Sequence, residues 1–134
     1  MEVSVFYEDT DCGGVVYYAN YLKYFERGRT DLLEKTDFFL EKLMSEGYVF
    51  TVVHAEIFYR SPARYRDFLE VITNLTEATR TVLDFSYRIL EKKSRRLIVE
   101  GTTKLVAVGQ NGKIKRLPQE MVDRLVKLVS PPDP

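Results

Sequence analysis

The residues best equipped for chemistry lie together near the start of the chain, in Tyr7-Glu8-Asp9-Thr10-Asp11-Cys12-Gly13-Gly14-Val15-Val16-Tyr17-Tyr18-Ala19-Asn20-Tyr21. Three carboxylates run into two glycines, and the glycines run into an amphipathic segment that reaches about Lys35. A carboxylate set just before a flexible turn that opens a helix can act on a substrate held over the turn. Glycine has no Cβ, so a substrate can come close to the backbone there. The start of a helix offers unpaired N–H groups and a partial positive charge to a developing oxyanion. On this reading Asp11 is the reacting group. The same spacing suits an aspartate that only caps the turn or the helix, and spacing alone leaves both readings open.

Other candidates are weaker. Glu8 and Asp9 could join Asp11 around a magnesium ion, but adjacent strand residues point to opposite faces. They read better as solvated neighbours whose like charge raises the Asp11 pKa, and no metal site is expected. Glu26 has Arg29 and Thr30 within helical reach and reads as their partner. His54 is the only histidine. It falls mid-strand without a flanking acid motif. Cys12 is the only cysteine, and no histidine stands near it to form a thiolate. Gly112-Lys113 lacks the flanking residues of a phosphate-binding loop.

The elements that must position these residues follow from periodicity. Alternation over residues 3–7 gives a short first strand that the acidic cluster ends. From about Asn20 to Lys35 the stripe Tyr21, Phe25, Gly28, Leu32 marks a long helix. Gly28 on that stripe predicts close backbone packing, since glycine otherwise costs a helix about 1 kcal/mol. Asp37 is placed to cap a second short helix over 38–45, which Gly47 stops. Period-two patterns then mark strands over 50–60, 68–77, about 83–89 and about 97–107. In the first of these, Val53, Ala55, Ile57 and Tyr59 share one face. Gly101 predicts a bulge or a close contact. Turn-like connections imply antiparallel pairing, with Asn111-Gly112 the strongest hairpin turn. Pro118 suits the first position of a last helix, and residues 130–134 read as a disordered tail. The class is α+β, with a single domain over 1–129. One helix cannot cover both faces of such a sheet. Phe50, Val52, Phe58, Ile72, Val82, Ile98, Val106 and Val108 are expected on the uncovered face, or an edge strand is expected to be buried, in a homo-oligomer.

Composition narrows the classes. Twenty basic and twenty acidic side chains cancel among 134 residues, which argues against nucleic acid as a partner and permits self-association. One cysteine excludes an intrachain disulfide and a multi-cysteine zinc site. No apolar run is long enough to span a membrane. The start lacks the pattern of a signal peptide, so a cytoplasmic location is expected. Nine tyrosines and eight phenylalanines suit a sheet wrapped on a helix or a buried subunit interface.

The stretch from Tyr7 through Asn20 to Arg27, ending Tyr21-Leu22-Lys23-Tyr24-Phe25-Glu26-Arg27, closely resembles the opening motif of the hotdog-fold acyl-CoA thioesterases. It is most similar to the branch that holds YbgC and the 4-hydroxybenzoyl-CoA thioesterases. Tyr59-Arg60-Ser61-Pro62-Ala63 matches that branch's strand-end pattern, and the resemblance runs over about residues 3–126. It implies a hotdog fold, a long central helix wrapped by a five-stranded antiparallel sheet. It also implies dimers joined sheet edge to sheet edge, or dimers of dimers making a homotetramer, with active sites at the dimer interface. The family's catalytic aspartate falls on Asp11, and its oxyanion-binding backbone N–H falls on Tyr18. The YbgC branch carries histidine at the Tyr18 position and the hydroxybenzoyl-CoA enzymes carry tyrosine; a backbone donor survives either.

The chemistry this implies is thioester hydrolysis. A thiolate whose parent acid has a pKa near 8.5, like cysteine, leaves without a strong general acid. What remains is a nucleophile or base, for which Asp11 serves in either role, and an oxyanion donor, worth roughly 3–4 kcal/mol. Gly14, Val16 and Tyr17 are expected along the substrate path, and some of Tyr17, Tyr18, Tyr21 and Tyr24 along the acyl pocket. The phosphates of coenzyme A need cations. Arg60 and Arg64 are the preferred pair, with Arg66 beside them and Lys92, Lys93, Arg95 and Arg96 as a second set. The substrate is a small or fatty acyl-CoA, or the thioester of an acyl carrier protein, and no cofactor is expected. Two alternatives use the same fold: a non-catalytic acyl-carrier or protein-binding module, and a dehydratase that relies on His54.

Overall fold

The computed structural model describes residues 1–36 and 40–130. The expected cap Asp37, the start of the second helix and most of the expected tail lie outside them. Ser130, counted with that tail, donates its N–H to the Leu75 carbonyl at 3.0 Å.

The first strand is shorter than alternation predicts: β1 spans Glu2–Ser4, and Tyr7–Asp9 form a 3-10 turn. The cause is Asp9, whose carboxylate accepts the Phe6 N–H at 2.9 Å while its own N–H returns to the Phe6 carbonyl at 3.0 Å. Glu8 and Asp9 therefore sit on a turn, and the strand-based argument about which way they point does not apply.

Helix α1, Asn20–Glu34, runs where the periodicity places it and buries Tyr21, Tyr24, Phe25, Gly28 and Leu33. Gly28 has the role its position predicts. A Cβ there would collide with Thr73 Oγ1 and come within 2.9 Å of Val71 Cγ1, so only glycine lets α1 lie this close to the sheet. Gly101 answers from the sheet side, where a Cβ would stand 3.0 Å from the Phe25 ring. Phe25 in turn stacks on Tyr87 at 4.1 Å between centroids. Each such buried aromatic or aliphatic side chain contributes about 1.5–3 kcal/mol.

The remaining elements are α2 (Leu40–Ser45), β2 (Val49–Tyr59), β3 (Phe68–Ala78), β4 (Val82–Glu91), β5 (Leu97–Val108) and α3 (Gln119–Val126). The strands form one antiparallel sheet in the order β1-β3-β4-β5-β2. Leu69, Val71, Leu75, Leu83, Phe85, Ile89, Val99, Leu105 and Ala107 fill its inner face against α1. Pro118 stands one residue ahead of α3 as its cap. Asn111-Gly112 does turn the chain, with Gly112 at φ +78, but the returning arm makes only the bridge Val108↔Ile114.

Two expectations about the sheet faces are corrected. The register between β2 and β5 slips between Val52 and His54, so Val53 is bulged out. Val52 then pairs with Leu105 and Phe50 with Ala107, which puts Phe50 and Val52 on the α1 side with Ala55, Ile57 and Tyr59. A bulge resets the two-residue period, and a sequence pattern carries no mark of it. Phe58, Ile72, Val82, Val106 and Val108 do fall on the outer face, but that face is not apolar throughout. Its centre is made of the polar cross-strand rows Asn74–Ser86–Thr102 and Asp84–Lys104–His54. Ile98 is fully buried, at a register shift between β4 and β5 where the partners step from Val99 to Leu97. Apolar exposure gathers instead on β2, the sheet edge, where Val49, Val52, Val53, Phe58 and Tyr59 are each at least 44% exposed.

Candidate active site

The loop that carries Asp11 is a small hairpin. Thr10 bridges Val16, the Asp11 N–H reaches the Val15 carbonyl at 2.9 Å, and Gly14, at φ +80, turns the chain between them. That positive φ is why glycine is needed at position 14. The hairpin is fastened to the sheet by the segment after β2: Val16 N–H donates to the Ala63 carbonyl at 2.8 Å, and Val15 bridges Arg64.

Asp11 uses one carboxylate oxygen structurally and leaves the other open. Oδ1 accepts the Gly13 N–H at 2.7 Å and faces the Val15 N–H at 3.5 Å. Among the described residues, Oδ2 has no hydrogen-bond donor. Capping and reactivity are therefore not rivals here, because the turn holds the carboxylate by one atom and presents the other from an exposed position.

Tyr18 stands just ahead of Ala19, the residue that caps α1 without a side-chain hydrogen bond. The Tyr17 carbonyl accepts the Asn20 N–H at 2.9 Å. A trans peptide sets its N–H opposite its C=O, so the Tyr18 N–H, on the same peptide plane, is turned away from the helix. Among the described residues it has no acceptor. The positive end of the α1 dipole adds to its pull on a negative oxygen.

A cleft of about 320 Å³ lies beside it, lined by Val15, Val16, Tyr18, Tyr21, Tyr59, Arg60, Ser61 and Pro62. It brings together the expected Val16, Tyr18 and Arg60. Asp11, Gly14, Tyr17 and Arg64 do not line it; they lie on the hairpin and on the segment bridged to that hairpin. The Tyr59 hydroxyl donates to the Tyr18 carbonyl at 3.1 Å, and the two rings meet edge to face at 6.4 Å. Burial, and then the nearby Tyr18, raise the Tyr59 pKa. Tyr24 is internal rather than at the cleft. Its buried hydroxyl has no hydrogen-bond geometry with any described group, and burial together with the Asp9 charge drives its pKa upward.

The cation sets divide. Arg96 donates to Ser61 Oγ and to the Pro62 carbonyl, Arg95 pairs with Glu70, and Lys92 pairs with Glu2, so most of the second set holds the protein's own surface together. Arg60 lies over the Phe58 ring, 3.5 Å from Glu100. Arg66 lies over Tyr65. His54 is on the outer sheet face, 4.0 Å from Glu56, in a different cleft with Asp84 and Lys104. Glu26 lines a separate apolar cavity with Arg29, Leu33, Met44 and Phe50. Cys12 is exposed. Among the described residues no three carboxylate, histidine or cysteine side chains gather as metal ligands, and no helix is long and apolar enough to cross a membrane.

Residues 5–125 match the family model of the thioesterase-like superfamily. The chain belongs to that superfamily. The acyl-CoA thioester hydrolase YbgC of Escherichia coli is 39% identical over 121 residues, 90% of each chain. A hypothetical protein of Thermus thermophilus superposes with a TM-score of 0.88 at 30% identity, covering 96% of this chain and 97% of the other. The 1,4-dihydroxy-2-naphthoyl-CoA thioesterase of Synechocystis superposes with a TM-score of 0.86 at 27% identity, covering 98% and 97%. The long helix against a five-stranded antiparallel sheet is thus the hotdog fold of this superfamily, as the opening motif implied. Two residues of the site escaped the sequence reading. Tyr59 enters the sequence analysis as part of an apolar row and of the strand-end pattern, with no role at the site. Asn20 enters it as a helix start and a member of the opening motif, although its side chain reaches the Asp9 carbonyl at 2.9 Å.

Proposed function

We propose that the protein is an acyl-CoA thioesterase in which Asp11 attacks the thioester or activates the water that does so, while the Tyr18 N–H binds the oxyanion. The observation that carries this is the pairing of an exposed carboxylate, pinned through Oδ1 and open at Oδ2, with an unengaged N–H at the start of α1. In the base route Asp11 takes a proton from water and the hydroxide adds to the carbonyl carbon. The tetrahedral oxyanion sits on Tyr18 N–H, and its collapse breaks the C–S bond. The departing thiolate takes up the proton. In the nucleophile route the carboxylate adds to the carbonyl carbon, the C–S bond breaks and the thiolate leaves and is protonated from solvent, and water then opens the mixed anhydride to the free acid and the Asp11 carboxylate. Gly14 and Tyr17 flank the approach, Val16 and Tyr21 line the cleft, and Arg60 and Arg64 lie where the coenzyme's phosphates can be met. The outward position of His54 disfavours a dehydratase.

The exposed apolar edge of β2 supports a dimer joined through that edge, which further pairing makes a tetramer. The exposed free thiol of Cys12 fits a reducing, cytoplasmic setting. We read residues 1–129 as one domain. The test is thiol release across a chain-length and aryl series of acyl-CoAs, with an acyl carrier protein thioester beside them. Asp11→Asn keeps an acceptor for the Gly13 N–H and is expected to fold normally with release abolished. Full activity in that variant would sink the proposal, and saturable binding without turnover by the parent protein would favour the non-catalytic module.

A further inference from the structure

Two arms of the site, the 3-10 turn before Asp11 and the segment that carries Tyr18, are tied at one acceptor, the Asp9 carbonyl. The Asp9 carbonyl, two residues before Asp11, accepts the Tyr17 N–H at 2.8 Å and the Asn20 Nδ2–H at 2.9 Å. Asn20 also gives its main-chain N–H to the Tyr17 carbonyl at 2.9 Å. Its amide side chain therefore grips the carboxylate arm while its backbone fixes the peptide plane that bears the Tyr18 N–H. Asn20 is half-buried and does not line the cleft. Its neighbours leave it little freedom to shift. The Asp9 carboxylate is committed to the Phe6 N–H, and Tyr24, one turn further along α1, is 1% exposed.

From this we infer that Asn20 is a positioning residue, setting the distance and angle between Asp11 and the oxyanion donor at Tyr18 without touching the substrate. The inference rests on the thioesterase reading above. A donor aimed at charge that develops only in the transition state acts on kcat and leaves ground-state binding alone. Misplacement of such a group by about 1 Å costs up to roughly a hundredfold.

The experiment compares Asn20→Asp and Asn20→Ala with the parent protein in steady-state thiol release from one acyl-CoA. Asn20→Asp is nearly the same shape, and a carboxylate in the first turn of α1 favours the helix, so folding is preserved while the donor to the Asp9 carbonyl is gone. The expected result is a fall in kcat of about tenfold to a hundredfold with KM within about twofold, and a melting temperature close to the parent for Asn20→Asp. A kcat within twofold of the parent in Asn20→Asp overturns the inference, as does a rise in KM at unchanged kcat. If the parent releases no thiol, or Asp11→Asn releases it normally, the thioesterase reading has failed. A turning-over parent, an inactive Asp11→Asn and an unimpaired Asn20→Asp reject the positioning role alone.

Discussion

The Tyr59 hydroxyl donates to the Tyr18 carbonyl at 3.1 Å, so the outermost strand of the sheet touches the residue proposed to supply the oxyanion donor. The two residues are 41 positions apart, and one belongs to an exposed edge while the other precedes α1. Anything that orders or frays the end of β2 is therefore felt at the proposed oxyanion donor. Tyr59→Phe keeps the ring packing and removes this one bond, whose net worth is about 0.5–1.5 kcal/mol. The expected outcome is a loss of kcat of a few fold to about tenfold, with the thermal midpoint lowered by only a few degrees. Steady-state kinetics and a melting curve on the same preparation check it. An unchanged kcat would separate the edge strand from the chemistry.

Gly28 tests the packing of α1 on the sheet. Alanine is the better helix former by about 1 kcal/mol, so a solvent-exposed glycine would gain from the change. Here the added methyl meets Thr73 Oγ1 and Val71 Cγ1, and overpacking of a filled core costs about 1–3 kcal/mol. Gly28→Ala is expected to lower the melting temperature by several degrees. Gly28→Ala combined with Thr73→Ala is expected to recover part of that loss. The Thr73 hydroxyl is buried without a partner, so its removal leaves no donor or acceptor stranded. Calorimetry of the two variants decides the sign.

These two cases mark how far the sequence was legible. The bounds of α1 and the burial of Tyr21, Phe25 and Gly28 could be read because a 3.6-residue period needs only local information. The turn after Asp11 could be read because its glycines are contiguous, but not that the chain returns there as a hairpin against Thr10. The faces of β2 could not, because one bulged residue at Val53 moves Phe50 and Val52 to the opposite side without changing a letter of the pattern. The first strand ended early because the Asp9 carboxylate found the Phe6 N–H, a bond that a hydrophobic pattern does not register. Val16 and Tyr18, which the long motif singles out, and Arg60, singled out as a cation for phosphate, do line one cleft. The bonds of Tyr59 to the Tyr18 carbonyl and of Asn20 to the Asp9 carbonyl join residues 41 and 11 positions apart, which a hydrophobic period does not register. Arg95 and Arg96 looked like ligands for phosphate, yet they are spent on Glu70, Ser61 and Pro62.

The edge of β2 offers unpaired backbone groups flanked by exposed apolar side chains, an arrangement that invites another strand. Val53 is 56% exposed and Phe58 44%, so lysine at both is expected to cost the protomer little of its own fold while opposing edge-to-edge pairing. Sedimentation should show a parent dimer or larger species, and a monomer for the Val53→Lys, Phe58→Lys variant. Thiol release is expected to fall with assembly, since the proposed site borders the same strand. A monomeric parent protein would overturn the edge-pairing reading.

Alkaline pH should unlock the aromatic layer. Tyr21, Tyr59 and Tyr87 each have a raised pKa with burial as the chief cause, and Tyr24 is shifted the same way by burial and then by the Asp9 charge. At Tyr87 the Thr103 hydroxyl, 2.6 Å away, offsets only part of the shift. In the unfolded chain these phenols titrate near 10. A phenol whose pKa is higher when folded keeps its proton longer in the native state, so its contribution to stability is complete below pH about 10 and is lost as pH rises through the folded value. Thermal stability is therefore expected to decline steadily above pH about 10. Part of the phenolate absorbance is expected to appear only as the fold is lost, because ionising Tyr24 or Tyr87 in place would bury a charge, a cost that the nearby Arg27 and Arg29 offset only in part. Absorbance titration paired with circular dichroism tests this, and complete ionisation near pH 10 with the fold intact would contradict it.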